Sequence, residues 1–148
     1  MTLATEGLAD DAARRLAISA HGRSMLVEAG AGSGKTAVMA GRIAAMLAEG
    51  IAPKSIAAVT FTELAASELL IRVRDFVAEL AAGTIPTELR IALPDGLTDA
   101  HKVNLTAAAA TIDEITCSTC SSSIRKLHWW RFPATYARRA PTWSPATR

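Results

Sequence analysis

Eight residues of this chain, Ala29-Gly30-Ala31-Gly32-Ser33-Gly34-Lys35-Thr36, set three alternate glycines before a lysine and a hydroxyl. That set of groups suits a chain of phosphates. Glycines at 30, 32 and 34 let backbone N–H groups turn inward around anionic oxygens, because they lack a Cβ and accept positive φ. A helix starting at Lys35 would offer its N-terminal dipole to the same anion. Lys35 would then reach the β- and γ-phosphates of a nucleotide, and Thr36 would hold Mg²⁺ through its hydroxyl. All eight positions are candidate cofactor-binding residues, with Thr36 the candidate metal ligand. The usual pattern opens on Gly where this chain has Ala29.

Three other groupings invite a chemical reading. Asp113-Glu114 has the form of an acidic pair that positions a metal and an attacking water, but such a pair should close a strongly apolar strand. Here it follows Ala107 to Ala110, Thr111 and Ile112, a helical lead-in that favours two surface acids. Cys117 and Cys120 have the spacing of a redox pair or half a zinc site. No second Cys or His pair completes a zinc site, since the histidines are only His21, His101 and His128. Arg72 and Arg74 lie on a long amphipathic stretch, where exposed arginines ordinarily form the solvated side.

The elements needed to carry these groups can be read from periodicity and breakers. A helix is expected from Leu8 to Ala20, then a strand at Ser24 to Glu28 running into the glycine loop. A second helix follows from Lys35 to Glu49, with an apolar stripe of Val38, Ile43, Met46 and Leu47 and a stop at Gly50. Ser55 to Thr60 is apolar and β-branched between Pro53 and the polar Thr62-Glu63, so it is expected as a buried parallel strand completing a βαβ unit. A third helix spans Glu63 to Ala82, because Leu69, Val73, Phe76 and Leu80 recur at helical spacing before Gly83. Pro86, Pro94 and Gly96 mark Thr84 to Gly96 as a surface excursion. A fourth helix is expected from a Thr98 or Asp99 cap through the alanine run, and Ile112 to Thr116 would begin a third strand.

With 148 residues, the chain has room for one domain with a real core but not for a motor of two nucleotide-binding lobes. No run is long and apolar enough to span a bilayer, and the N-terminal residues lack the apolar centre of a secretory signal, so no membrane role and a cytoplasmic setting are expected. The net charge of +2 hides a division. Residues 1–116 carry ten Lys or Arg against fourteen Asp or Glu, whereas residues 117–148 carry six Lys or Arg and no acid. All three tryptophans also lie beyond 116, where Ile124 and Leu127 are the only Leu, Ile or Val residues. Such a stretch cannot supply a core-facing element, so 117–148 is expected to be an irregular, disordered basic tail.

The loop with Ala in its first slot resembles the phosphate-binding motif of UvrD-like superfamily 1 DNA helicases, a group that includes the helicase-nuclease subunits of the AddA and RecB type. Val59-Thr60-Phe61-Thr62-Glu63-Leu64-Ala65-Ala66-Ser67-Glu68-Leu69 resembles that family's next motif, at a strand end and helix start. The resemblance covers residues 8 to 116. It implies a RecA-like α/β fold with helices on both faces of a parallel sheet, ATP and Mg²⁺ as cofactors, and single-stranded DNA as partner at Thr60, Phe61 and Thr62. In intact relatives it also implies a nuclease-helicase partner subunit. Two departures stand out. The family places a glutamine upstream of the loop to read adenine, but this chain contains no glutamine and Arg14 falls near that position. After Ile112-Asp113-Glu114-Ile115-Thr116 the family's Thr-Ile-His-type segment is absent, and Cys117-Ser118-Thr119-Cys120-Ser121 stands in its place.

The resulting expectation is an incomplete, truncated helicase ATP-binding domain at 1–116 with a tail at 117–148 translated from a shifted reading frame. It would bind ATP but hydrolyse it slowly or not at all alone, because later motifs and an arginine finger are missing. Two alternatives come from other classes. One is a small stand-alone P-loop nucleotidase or kinase using Asp113 and Glu114. The other is a noncatalytic nucleic-acid-binding module using the basic tail through counterion release and stacking.

Overall fold

The computed structural model describes residues 10–30 and 32–119. Helix α1 (Asp11–Ser19) starts on an acidic first turn, braced by Arg14 Nε donating to Asp10 Oδ2 at 2.8 Å. It lays Ala17 and Ile18 into the core. Helix α2 (Lys35–Ala48) begins directly after Gly34. Its far end closes by a paired hydrogen-bond motif: Gly50 N–H donates to Leu47 O and Ile51 N–H to Met46 O, both at 3.0 Å. That geometry needs a left-handed residue, which Gly50 supplies with φ of +90°. Helix α3 (Glu63–Ala81) ends the same way, with Gly83 at φ +84°.

Strand β1 (Ala57–Thr60) follows a 3-10 turn at Pro53–Ser55 and runs into α3, whose N-cap is Thr62. Helix α4 (Asp99–Ala110) is capped by Thr98, whose Oγ accepts from His101 N–H at 3.2 Å. Strand β2 (Thr116–Thr119) pairs with β1 in parallel, Ala57 opposite Thr116 and Thr60 opposite Thr119. The α/β expectation therefore holds. Among the described residues the sheet has two strands.

Four differences from expectation stand out. First, Ser24 to Glu28 forms no ladder among the described residues. Leu26 is 87 % exposed there, so the parallel pair is β1–α3–α4–β2 rather than a βαβ unit around α2. Second, β1 has one covered side: Ala58 is buried while Ala57 and Val59 are exposed, and α3 packs against both strands. Third, the 84–96 excursion is not confined to the surface. Its 3-10 turn at Thr87–Leu89 drives Leu89 into the core, with Ile85, Ala92 and Leu93 packed beside it. Fourth, Ile112–Glu114 is a 3-10 turn, and the strand starts at Thr116.

The core is a helix-dominated cluster in which Leu47, Leu69, Val73, Val77, Leu80, Leu89 and Leu105 are fully buried. α2, α3 and α4 pack on one another, and α1 packs on α2. No helix among the described residues is long and apolar enough to cross a membrane. The basic tail, apart from the β2 residues Cys117 to Thr119, lies outside the described residues.

Candidate nucleotide site

The first turn of α2 leaves N–H groups at Lys35, Thr36 and Ala37 without intrahelical partners, and Gly34 has no side chain to cap them. The first ladder bond is Val38 N–H to Gly34 O, at 3.1 Å. Ahead of it, Gly32 and Gly34 both adopt positive φ, at +74° and +81°, so a residue with a Cβ would be strained at either position. Around Gly30 and Gly32 the space where a Cβ would stand is open. Ser33 closes the loop on itself, its hydroxyl donating to Gly30 O at 2.8 Å. The result is an uncapped, positively polarised helix end behind an open glycine turn.

Lys35 reaches back over this turn. Its Nζ donates to Ala29 O at 2.5 Å and Gly30 O at 3.0 Å, so the exposed ammonium lies across the loop. Thr36 is exposed on the same first turn. These groups fit a nucleoside triphosphate with Mg²⁺: the N–H groups and Lys35 suit phosphate oxygens, and the Thr36 hydroxyl suits the metal. A cavity of about 530 Å³ adjoins the loop, within the range of small-molecule sites. Its apolar wall includes Met25, Val27, Val38 and Met39.

On the cavity's other wall, Arg14 is the residue that falls near the family's adenine-reading glutamine, and Arg42 was not singled out from the sequence. Arg14, on α1, donates from Nη2 to Ser33 O at 2.9 Å while holding Asp10 through Nε. Arg42, two turns along α2 from Lys35, donates to Ala17 O at 2.6 Å and Ala20 O at 2.8 Å. Its placement on the Lys35 side of the helix was a signal in the sequence, since seven residues make nearly two turns. Of the predicted loop residues, Ala29, Gly30, Ser33 and Lys35 line the cavity, and Gly32, Gly34 and Thr36 belong to the same turn and helix start. Ala31 lies outside the described residues.

Thr60, Phe61 and Thr62 form a separate surface at the C-terminal end of β1. Thr62 Oγ accepts from Ala65 N–H at 3.1 Å and Thr60 Oγ donates to Thr62 O at 3.0 Å, which fixes the strand-to-helix corner. Phe61 is 93 % exposed on it. Behind the corner, Cys117 Sγ donates to Ala66 O at 3.1 Å and Thr119 Oγ to Glu63 Oε1 at 3.2 Å. Burial, and then the nearby Glu63 carboxylate, push the Cys117 thiol pKa above its ordinary value. Cys120, its expected companion, lies outside the described residues.

The other candidates fall elsewhere. Asp113 and Glu114 precede β2, at the opposite end of the strands from Thr60, and neither lines the cavity. Asp113 instead forms an ion pair with Arg74. Arg72 lines a polar cavity with Asp75, Glu79 and Glu88, so carboxylates share its surroundings.

Fold and site together define an α/β chain built around a glycine loop that feeds a helix. The family model for the UvrD/REP helicase N-terminal domain matches residues 10–139. The chain belongs to that family, and its described region is helicase-related. It is 41 % identical over 100 residues to an ATP-dependent helicase/nuclease subunit of Streptococcus suis (strain 98HAH33), covering 68 % of this chain and 8 % of that protein. The ATP-dependent DNA helicase UvrD1 of Mycobacterium tuberculosis (strain ATCC 25618 / H37Rv) is 48 % identical over 69 residues, 46 % of this chain and 9 % of the relative. DNA helicase II of Escherichia coli (strain K12) is 44 % identical over 71 residues, 47 % of this chain and 10 % of the relative. The matched parts thus span a tenth or less of these relatives.

Proposed function

We propose that this chain binds a nucleoside triphosphate with Mg²⁺ through residues 29–36, ATP being the nucleotide in the names of several relatives. The observation that carries the reading is the uncapped start of α2 behind Gly32 and Gly34, with the Lys35 ammonium held across the turn. In this role the backbone of 30–35 and Lys35 orient the phosphates, and Thr36 takes the metal. The exposed corner Thr60-Phe61-Thr62 is the proposed contact for single-stranded DNA, by phosphate binding at the start of α3 and stacking on Phe61. A nuclease-helicase subunit is a proposed partner in a longer protein of this kind, in a cytoplasmic setting. Neither Asp113 nor Glu114 lines the cavity, which counts against the reading of a stand-alone nucleotidase or kinase using that pair.

Lys35→Ala tests the site. A hydrogen bond to a charged group contributes about 1.5–3 kcal/mol, so losing two of them should weaken binding of a Mg²⁺-nucleotide by about 100-fold or more. Titration calorimetry on the parent and variant measures it. Unchanged affinity in the variant would sink the loop assignment.

A further inference from the structure

Two sets of bonds hold the glycine turn, one from within and one from α1. Within it, Ser33 bonds Gly30 O through its N–H, at 3.4 Å, and through its hydroxyl, at 2.8 Å. From α1, Arg14 Nη2 donates to Ser33 O at 2.9 Å, and no other donor reaches that oxygen among the described residues. Arg14 is itself oriented by Asp10, whose Oδ2 accepts from Nε at 2.8 Å. A Cβ at Gly34 would stand 3.4 Å from Arg14 Nη1, so the guanidinium is packed against the turn. The pair Asp10–Arg14 thus braces one peptide of the loop, the one joining Ser33 to Gly34.

That peptide is planar and trans, so its C=O and N–H point in opposite directions. With the carbonyl on Arg14, the Gly34 N–H is turned away from α1, and it has no acceptor among the described residues. Nothing in residue 34 itself keeps it so. Glycine accepts positive and negative φ about equally, and at φ +81° this one leaves the preceding peptide free to turn over. The turned-over peptide would present a carbonyl oxygen where an anion needs a donor. We propose that Arg14 is a positioning residue of the phosphate site: it clamps the Ser33 carbonyl and so keeps the Gly34 N–H ready for a polyphosphate before one binds. This rests on the nucleotide-binding reading above. The guanidinium acts through the peptide and touches neither base nor phosphate, which ties the affinity of the loop to the placement of α1.

The test uses the full chain and two variants. Asp10→Asn combined with Arg14→Met removes an anion and a cation together, so the clamp is lost while the net charge beside the loop is kept. By calorimetry it should bind Mg²⁺-tripolyphosphate, which has no base, and Mg²⁺-ATP more weakly by the same factor. That factor is about tenfold, the bias that one hydrogen bond from a charged donor gives to the competent form. Stopped-flow mixing with an ATP that carries a fluorescent group on its ribose should place the loss in the association rate, because only the competent fraction of the free loop accepts ligand. Dissociation should be unchanged. Arg14→Lys keeps the charge and one donor without the fork, so it should lose less, again equally for both ligands and in association. It carries the test if the double variant fails to fold, as judged by its urea midpoint. A loss confined to Mg²⁺-ATP would put Arg14 on the base, faster dissociation would put it on the phosphates, and unchanged affinity would leave it no part in the site. Each of these overturns the proposal while the glycine loop keeps its phosphates. Parent protein that binds neither ligand would remove the phosphate site and this role with it.

Discussion

Gly41→Ala offers a test of how α1, α2 and the 84–96 excursion lock together, with a change of sign as its readout. A Cβ at position 41 would stand 2.5 Å from Leu89 Cδ2 and 3.5 Å from Ile18 Cδ1. Carbon atoms rest at about 3.5–4.0 Å, so the Ile18 contact is ordinary and Leu89 must give by about 1 Å. Both side chains are 2 % exposed and have little room to move. Overpacking of this kind costs about 1–3 kcal/mol. Alanine in place of glycine inside a helix offsets about 1 kcal/mol of that. The single variant should therefore lose about 0–2 kcal/mol of stability. Leu89→Ala alone should lose about 2–5 kcal/mol through the cavity it leaves. In the double variant the new methyl occupies part of that space and the clash is gone, while the helix preference remains. Gly41→Ala should then stabilise the Leu89→Ala background by about 1 kcal/mol. Urea unfolding of the four proteins, followed by far-UV circular dichroism at equal slopes, measures the cycle. Effects that add to within about 0.5 kcal/mol would refute the placement of Leu89 on α2.

Cys117 should alkylate slowly in a Cys120→Ser background, because its raised pKa leaves little thiolate near neutral pH. The same shift sets a direction for stability: the folded state holds the thiol proton more tightly, so this contribution is complete below the unfolded thiol pKa of about 8.5 and is lost as pH rises through the folded value. Iodoacetamide rates and urea midpoints from pH 7 to 10 check both, and a Cys117 rate equal to that of free cysteine would count against the burial. Thr62→Ala removes the N-cap of α3 and should cost about 1 kcal/mol, read as a lower urea midpoint. Phe61→Ala should leave that midpoint unchanged, since the ring is exposed, yet lower affinity for a single-stranded oligonucleotide by about tenfold through lost stacking. Fluorescence anisotropy at fixed salt measures it, and unaltered affinity would remove Phe61 from the DNA surface.

Legibility in the sequence followed how local each determinant was. The three longer helices and their stops were readable because their information is contained in a few turns: an apolar stripe, a Thr cap, and a glycine where the chain must turn left-handed. Gly50 and Gly83 sit at those turns. Strand identity depends on a partner elsewhere in the chain. Met25-Leu26-Val27 has the composition of a buried strand, yet nothing within those residues says whether another strand lies alongside. Leu89 failed for a related reason, since prolines and glycines disclose where a segment turns and not which leucine turns inward. At the candidate site the loop was readable as a spacing pattern. Of its second wall, Arg14 was legible only by its place near the family's adenine-reading glutamine and Arg42 was not singled out, because both meet the cavity through the packing of α1 on α2.

The way α1 is held explains how the loop keeps its shape without a strand ladder behind it. The last carbonyls of a helix lack intrahelical partners, and cations are favoured beside them by the helix dipole. Arg42 donates to Ala17 O and Ala20 O, and His21 Nε2 donates to Ile18 O while Nδ1 bonds Glu49 Oε2 at 2.8 Å. The end of α1 is thereby tied to the middle of α2 by Arg42 and to its end by His21. Asn104 of α4 anchors the terminus of α2 farthest from the loop, donating to Ala48 O at 2.8 Å. With both helices fixed, Arg14, one turn before Ile18, is carried to Ser33 and closes the glycine loop from the side. The described part of the loop is therefore placed by two helix ends and the side-chain donors that tie them, in a chain whose described sheet has two strands.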